Sequence, residues 1–266
     1  MISHSSAHDL LRISHTYEAM IEITTACNLR CAYCNVSMPD WKDTNLPTDK
    51  YDNIVTGLLA RQVQVVHLHG HGETTIIPGW YKLANQLLDL GIRVSICSNL
   101  MKSFEPIELN TLSKLSNLTV SIDTVDHDLF KKLRCGGTLQ RLMHNLITIR
   151  NIAKANNRHL NVSWSIVVCN LSLDGLIDLV KEAINLRING LTFCNLGYFD
   201  NPLRKVQLCH IAEMSTEVKE RAISIFDTIK DMCSAHGILC DVQSGIIDSL
   251  IPNINSKPAR VSLGLI

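Results

Sequence analysis

Six short β-rich runs, each followed by a helix-like stretch, constrain the fold more than any other feature of the chain. The runs are AMIEIT (19–24), VQVVHLH (63–69), IRVSICS (92–98), LTVSID (118–123), LNVSWSIVV (160–168) and GLTFCNL (190–196). Between them lie stretches such as GWYKLANQLLDLG, LQRLMHNLITIRNIAKAN and LDGLIDLVKEAINLR. Successive strand-then-helix units predict parallel pairing through right-handed crossovers. The strands read as nearly continuous apolar runs, which predicts cover on both faces, as in a barrel or a doubly wound sheet. A sixth helix, STEVKERAISIFDTIKDMCSAHG, takes Ser215 or Thr216 as its N-cap and Gly237 as its stop, and a last strand-like ILCDV follows. The expected layout is a tail over 1–17, one α/β unit over 18–243 and a second tail over 244–266.

Charge narrows the partners. Lys plus Arg equals Asp plus Glu at 25 each, and the longest basic cluster is KKLR at 131–134. A nucleic-acid partner, which demands a basic stripe, is not expected. No apolar run reaches the roughly 18 residues of a membrane span, and the N-terminus lacks a secretory pattern, so a cytoplasmic chain without a membrane partner is expected. In that compartment the ten cysteines cannot be explained as structural disulfides. Cys97, Cys169 and Cys194 fall in strand-like apolar runs and read as small buried hydrophobes, with Cys233 and Cys240 as packing residues.

Polar groups collect where the predicted strands end. TTACNLRCAYCNVS (24–37) follows the first strand, HGHGET (69–74) the second, Ser98 and Asn99 the third, Asp123 the fourth and Asn170 the fifth. In α/β barrels that rim carries the chemistry. His69, His71, Asn99, Asp123 and Asn170 are thus expected around one mouth suited to a polar substrate, and His67 and His69 on one face of their strand.

Cys27, Cys31 and Cys34 are spaced C-x3-C-x2-C. Three thiolates leave a fourth position open. Zinc could take an imidazole from His67, His69 or His71. An iron–sulfur cubane held by three cysteines would leave one iron to a non-protein ligand. Zinc sites repeat C-x2-C knuckles, which this spacing does not match.

CNLRCAYC, with Tyr33 just before the last cysteine, resembles the signature of the radical S-adenosylmethionine (radical SAM) superfamily. The resemblance implies a partial (βα)6 TIM-like barrel, with a [4Fe-4S] cluster on the three cysteines and S-adenosylmethionine chelating the open iron. Residue by residue, Gly72 and Glu73 match a Gly-Gly-Glu-Pro stretch, which directs Glu73 to the methionine ammonium; His71 and Thr74 depart from it. Ser98 and Asn99 fall near the ribose or amino-acid part, Ser121 and Asp123 on the nucleoside side, Arg134 at the methionine carboxylate and Tyr33 near the adenine.

The implied activity is reductive cleavage of S-adenosylmethionine to a 5′-deoxyadenosyl radical. That radical abstracts hydrogen from a small polar metabolite or a peptide in a biosynthetic dehydrogenation, dehydration or epimerisation. An external electron donor such as flavodoxin or ferredoxin is implied too. The pattern is similar to the SPASM/Twitch-related branch, but the auxiliary-cluster cysteines are missing and Cys240 is the last cysteine. For an epimerase, Cys135 in a glycine-flanked loop or Cys209 after strand six would supply the quenching hydrogen atom. The alternative is a non-catalytic iron–sulfur electron-transfer or metal-binding protein; the missing fourth local cysteine favours the enzyme.

Overall fold

A computed structural model describes residues 17–197 and 207–250. The strands are Glu18–Ile21 (β1), Val65–Leu68 (β2), Arg93–Ser98 (β3), Asn117–Ser121 (β4), Asn161–Val168 (β5), Gly190–Asn195 (β6) and Leu239–Val242 (β7). The α-helices are Tyr51–Ala60 (α1), Trp80–Asp89 (α2), Pro106–Leu112 (α3), His127–Leu133 (α4), Leu139–Ala155 (α5), Leu176–Asn185 (α6), Thr216–Ala235 (α7) and Ser244–Leu250 (α8). Among the described residues no helix is long and apolar enough to cross a membrane.

All six strand pairings are parallel, and the spatial order β1 to β7 is the order in sequence. Right-handed crossovers between consecutive neighbours put every connecting helix on the same face. The other face is left to a lumen. The sheet is an open α/β arc: β1 pairs with β2 and β7 with β6, and the two edge strands do not pair with each other.

The two faces differ in chemistry. On the helix side, Val66, Leu68, Val94, Leu118, Trp164 and Phe193 are fully buried. They meet helix residues such as Leu83, Leu146, Leu179 and Ile229 in one core. Side chains in register across a parallel sheet share a face, and on the lumen face the register sets Cys97 beside Thr119 and Ser163, and Ser121 beside Ser165 and Thr192. These groups bond between strands: His67 Nδ1 lies 2.6 Å from Ser95 Oγ, and Asn117 Nδ2 donates to Ser163 Oγ at 3.0 Å.

The expected continuous apolar runs are therefore corrected to alternation. β5 alternates strictly between half-buried and buried positions. A closed barrel fills its interior with layers of branched side chains. This open arc lines its inner face with hydroxyl, amide and thiol groups instead. Cys97 and Cys194 are corrected with it: both are only half-buried on the lumen face, at 3.5 Å from Ser121 Oγ and Ser165 Oγ. Cys169 is buried as expected.

Helix ends follow the local sequence. Ser215 Oγ caps α7 by accepting from Val218 N, and Gly237, at φ 65°, supplies the left-handed turn after it. Asp126 caps α4 by accepting from the amides of Asp128 and Leu129, which fixes where Arg134 emerges from the helix's far end. Within the expected C-terminal tail, residues 244–250 form α8, held by fully buried Ile246. Residues 251–266, and the expected N-terminal tail apart from Tyr17, lie outside the described residues.

Candidate active site

Three segments meet at the C-terminal ends of β1 to β3. After β1 the chain leaves the sheet, where Thr25 N donates to Thr44 O of a returning segment and Leu46 N of that segment donates back to Ile23 O, 2.9 Å each. That short ladder fixes the start of the cysteine loop. The loop after β2 packs on it backbone to backbone, with Glu73 N donating to Ala26 O at 2.8 Å. A Cβ on Gly72 would lie 2.3 Å from Thr24 O and 2.6 Å from Ala26 O, so only glycine fits. The end of β3 completes the wall: Asn99 Nδ2 donates to Asn28 Oδ1 at 2.9 Å and reaches Cys27 Sγ at 3.8 Å.

Glu73 is buried, and both its carboxylate oxygens accept hydrogen bonds. Oε1 accepts from Thr75 N, Thr75 Oγ1 and Ser98 Oγ, and Oε2 accepts from Asn99 N at 2.7 Å. Burial pushes its carboxyl up, and these hydrogen bonds pull back.

A second cluster forms on the other side of the cysteine loop. Arg134 donates from Nε and Nη2 to the two carboxylate oxygens of Asp123, 2.9 Å each. Tyr33 Oη donates to Asp123 Oδ2 at 2.6 Å, and Val167 N to Oδ1 at 2.9 Å. The Arg134 guanidinium lies 5.7 Å from the Tyr33 ring centre. The expected open positions for Asp123 at the nucleoside and Arg134 at a carboxylate thus meet a different arrangement, in which the two neutralise each other out of water.

The remaining expected residues spread out. Ser121 faces the lumen beside Cys97. Cys135 points its thiol at Lys132 O, 3.4 Å away, while its carbonyl accepts from Arg30 N in the cysteine loop. Cys209 N donates to Asn170 Oδ1 at 2.7 Å, which joins the segment before α7 to the end of β5; its thiol lies near Glu213. Lumen-facing Cys97 and Cys194 were missed by sequence reasoning. The signal available was the Ser/Thr alternation in NLTVS and NVSWS.

The chemistry of the donors tests what the cysteine loop could hold. Its three thiols lie within electrostatic reach of one another, and burial pushes all three up, Cys31 to about 12. The amides of Leu29 and Val36 bond Cys27 and Cys34 and favour their thiolates. Soft thiolates braced by N–H donors suit an iron–sulfur cluster. Two of the three imidazoles considered for zinc have other partners, His67 with Ser95 and Glu18, and His71 with Glu22. Among the described residues, no group of three or more His, Cys, Asp or Glu side chains forms a single-ion cage.

Comparisons with known proteins bear on the family and the fold. The chain is 28% identical over 169 residues to the sporulation killing factor maturation protein SkfB of Bacillus subtilis, covering 62% of this chain and 39% of that protein. It is 25% identical over 266 residues to a GTP 3′,8-cyclase of Listeria welshimeri, covering 96% of this chain and 68% of the relative. Among solved structures, Streptococcus suis SuiB bound to S-adenosylmethionine aligns with a TM-score of 0.66 at 18% identity, over 86% of this chain and 50% of SuiB. The chain thus spans only about half, or less, of SuiB and SkfB. Residues 21–183, more than half of the chain, match the Radical SAM superfamily, and the chain belongs to that superfamily, whose enzymes use a [4Fe-4S] cluster and S-adenosylmethionine.

Proposed function

We propose that the chain performs radical chemistry at a carbon of a peptide or small polar metabolite, in a dehydrogenation, dehydration or epimerisation. The observation that carries the substrate class is the charge of the lumen. Among the described residues, the only Lys or Arg within the seven strands is Arg93, at the first residue of β3 and so at the end away from the cysteine loop. A nucleoside triphosphate needs several cations around its phosphates. The lumen offers hydroxyl, amide and imidazole groups and the carboxylates of Glu18 and Asp241, which fit a polar substrate without phosphate groups. SkfB is a maturation protein and SuiB has been solved with a precursor peptide, which supports a peptide.

When bound, the cluster and S-adenosylmethionine supply a 5′-deoxyadenosyl radical. Cys27, Cys31 and Cys34 hold the cluster as thiolates, so loading must release the protons that burial retains. Gly72, Glu73, Ser98 and Asn99 form one wall of the cosubstrate site and Ser121 part of the lumen facing it. Tyr33, Asp123 and Arg134 close the other side. An external one-electron donor of the flavodoxin or ferredoxin type keeps the cluster reduced. For a redox-neutral ending, Cys135 or Cys209 donates a hydrogen atom.

Anaerobic reconstitution with iron and sulfide, followed by S-adenosylmethionine and dithionite, tests the reading. The chain should yield 5′-deoxyadenosine, and changing Cys27, Cys31 and Cys34 to Ala should remove both that product and the roughly four irons per chain. Iron without 5′-deoxyadenosine would point to an electron-transfer protein. A guanosine-derived product on adding GTP would overturn the substrate class.

A further inference from the structure

We propose that Asp123 and Arg134 are positioning residues that clamp the cysteine loop through Tyr33, rather than ligands of the cosubstrate. The inference rests on reading that loop as the cluster loop. Three parts of the chain converge on the carboxylate of a fourth. Asp123 lies just past β4, Val167 belongs to β5, Arg134 ends α4, and Tyr33 sits between Cys31 and Cys34. Their four bonds to Asp123 run from 2.6 to 2.9 Å, and Asp123 and Arg134 are only 1% and 6% exposed.

The backbone repeats the connection. Ala32 N donates to Leu133 O at 2.8 Å and Arg30 N to Cys135 O at 3.0 Å, so the cysteine loop runs along the segment that carries Arg134. Beneath it, Ala32 packs with Leu133, Cys169, Leu196 and Leu208, and Tyr33 lies against the same group. Cys31, between these anchors, is the most buried of the three motif thiols at 9% exposed.

Geometry separates the two roles. An arginine that binds a free carboxylate presents its fork to the ligand. Here the Nε–Nη2 edge of the guanidinium is spent on Asp123, whose remaining capacity is taken by the loop's own tyrosine and a strand amide, and Arg134 as a whole is buried. A buried ion pair whose carboxylate is satisfied on every side specifies one arrangement of the groups around it. What it arranges is the tyrosine beside Cys31 and Cys34.

The test uses Tyr33→Phe. That variant removes one hydroxyl, keeps both charges, and so leaves the electrostatic environment of the Cys31 thiol in place. In the metal-free chain, alkylation by iodoacetamide is followed at each cysteine by peptide mass spectrometry. Loss of a hydrogen bond to a charged group should raise local opening, and hence the Cys31 rate, about tenfold or more. Cys169 and Cys233 should keep their wild-type rates. After reconstitution, the change that S-adenosylmethionine causes in the electron paramagnetic resonance spectrum of the reduced cluster should be displaced from wild type.

Absence of either effect, or a rise at Cys169 equal to that at Cys31, overturns the clamp. Asp123→Asn and Arg134→Lys should accelerate Cys31 too, and neither should add to Tyr33→Phe. Additive effects would show three independent residues and overturn it as well. Wild-type iron content is measured separately. Failure of the wild type to load iron sinks the cluster reading and leaves the alkylation result to judge the clamp.

Discussion

The amide of Glu73 donates to the carbonyl of Ala26 at 2.8 Å, which pins the loop after β2 to the residue that precedes Cys27. Gly72 makes this approach possible, because any Cβ there would run into Thr24 O and Ala26 O. Both obstacles are backbone atoms in a segment already bonded to residues 44–46, so neither can swing aside as a side-chain tip could.

Gly72→Ala should therefore destabilise the chain by about 1 to 3 kcal/mol, the usual range for overpacking a filled site. A shift of the urea midpoint at constant slope reads it. Iron loading should fall as well if Cys27, where the displaced segment ends, is a cluster ligand as proposed. A variant with wild-type midpoint and wild-type iron would show that the two loops do not depend on each other.

Glu73 separates cosubstrate binding from cluster assembly. Oε1 receives three bonds, whereas Oε2 receives one, from Asn99 N. A carboxylate oxygen has room for a second donor, and an ammonium group meeting Oε2 would make a charge-assisted bond. Glu73→Gln keeps the shape and loses the charge. The expected result is S-adenosylmethionine binding weakened by roughly one to two decades, with iron content unchanged, since losing a charged hydrogen-bond partner costs about 1.5 to 3 kcal/mol. Equilibrium binding to the reconstituted protein decides it. Unchanged affinity would leave Glu73 a brace between the ends of β2 and β3 and nothing more.

The histidines of the lumen edge give a pH dependence whose sign follows from their surroundings. Burial holds His69 below the usual imidazole value, His67 pushes it further down, and Glu22 pulls it up. Glu18 bonds His67 rather than His69, at 3.0 Å. Because the folded pKa lies below the unfolded one, the unfolded chain binds protons first as pH falls past about 6.5, and stability drops. Wild type should accordingly lose more stability than His69→Gln between pH values of about 7.5 and about 5.5. Urea midpoints at the two pH values measure this. An equal loss in both proteins would mean that His69 titrates as it does in the unfolded chain.

Why some of this was legible and some not comes down to range. Ser215, Gly237 and the six apolar runs act within a few residues, and they gave the α7 cap, the turn after it and the strands. The lumen was harder. The alternation in NVSWS is plain in the sequence, but a polar strand face is equally what a water-facing sheet needs; only the strand order, which puts all helices on one side, turns that face into an interior. Asp123 and Arg134 are eleven residues apart with a helix between them. Either could have faced a ligand, and nothing short-range says that they close on each other. The family resemblance works position by position and carries no information on which nearby charges pair, so the Asp123–Arg134 contact could not be read from it.

How a substrate radical would be quenched can be narrowed by where the thiols sit. Cys97 and Cys194 face the lumen beside serines, whereas Cys135 and Cys209 lie in loops with their thiols near Lys132 O and near His210 O and Glu213. Quenching breaks the thiol S–H bond and forms a C–H bond on the substrate. The sulfur radical left behind takes one electron from the external donor and one proton from solvent. Burial raises Cys97, Cys194 and Cys209, so each stays a thiol at neutral pH, the form that carries the hydrogen atom. In deuterated water the wild type should place one deuterium in an epimerised product. If Cys135 or Cys209 is the donor, its Ala variant should still form 5′-deoxyadenosine and no epimer, while Cys97→Ser and Cys194→Ser keep the deuterated product. Loss of epimer in a lumen variant, with both loop variants active, would move the role onto the lumen wall. A product in oxidised form, or one without solvent deuterium, would remove the thiol step altogether and leave dehydrogenation or dehydration as the reaction.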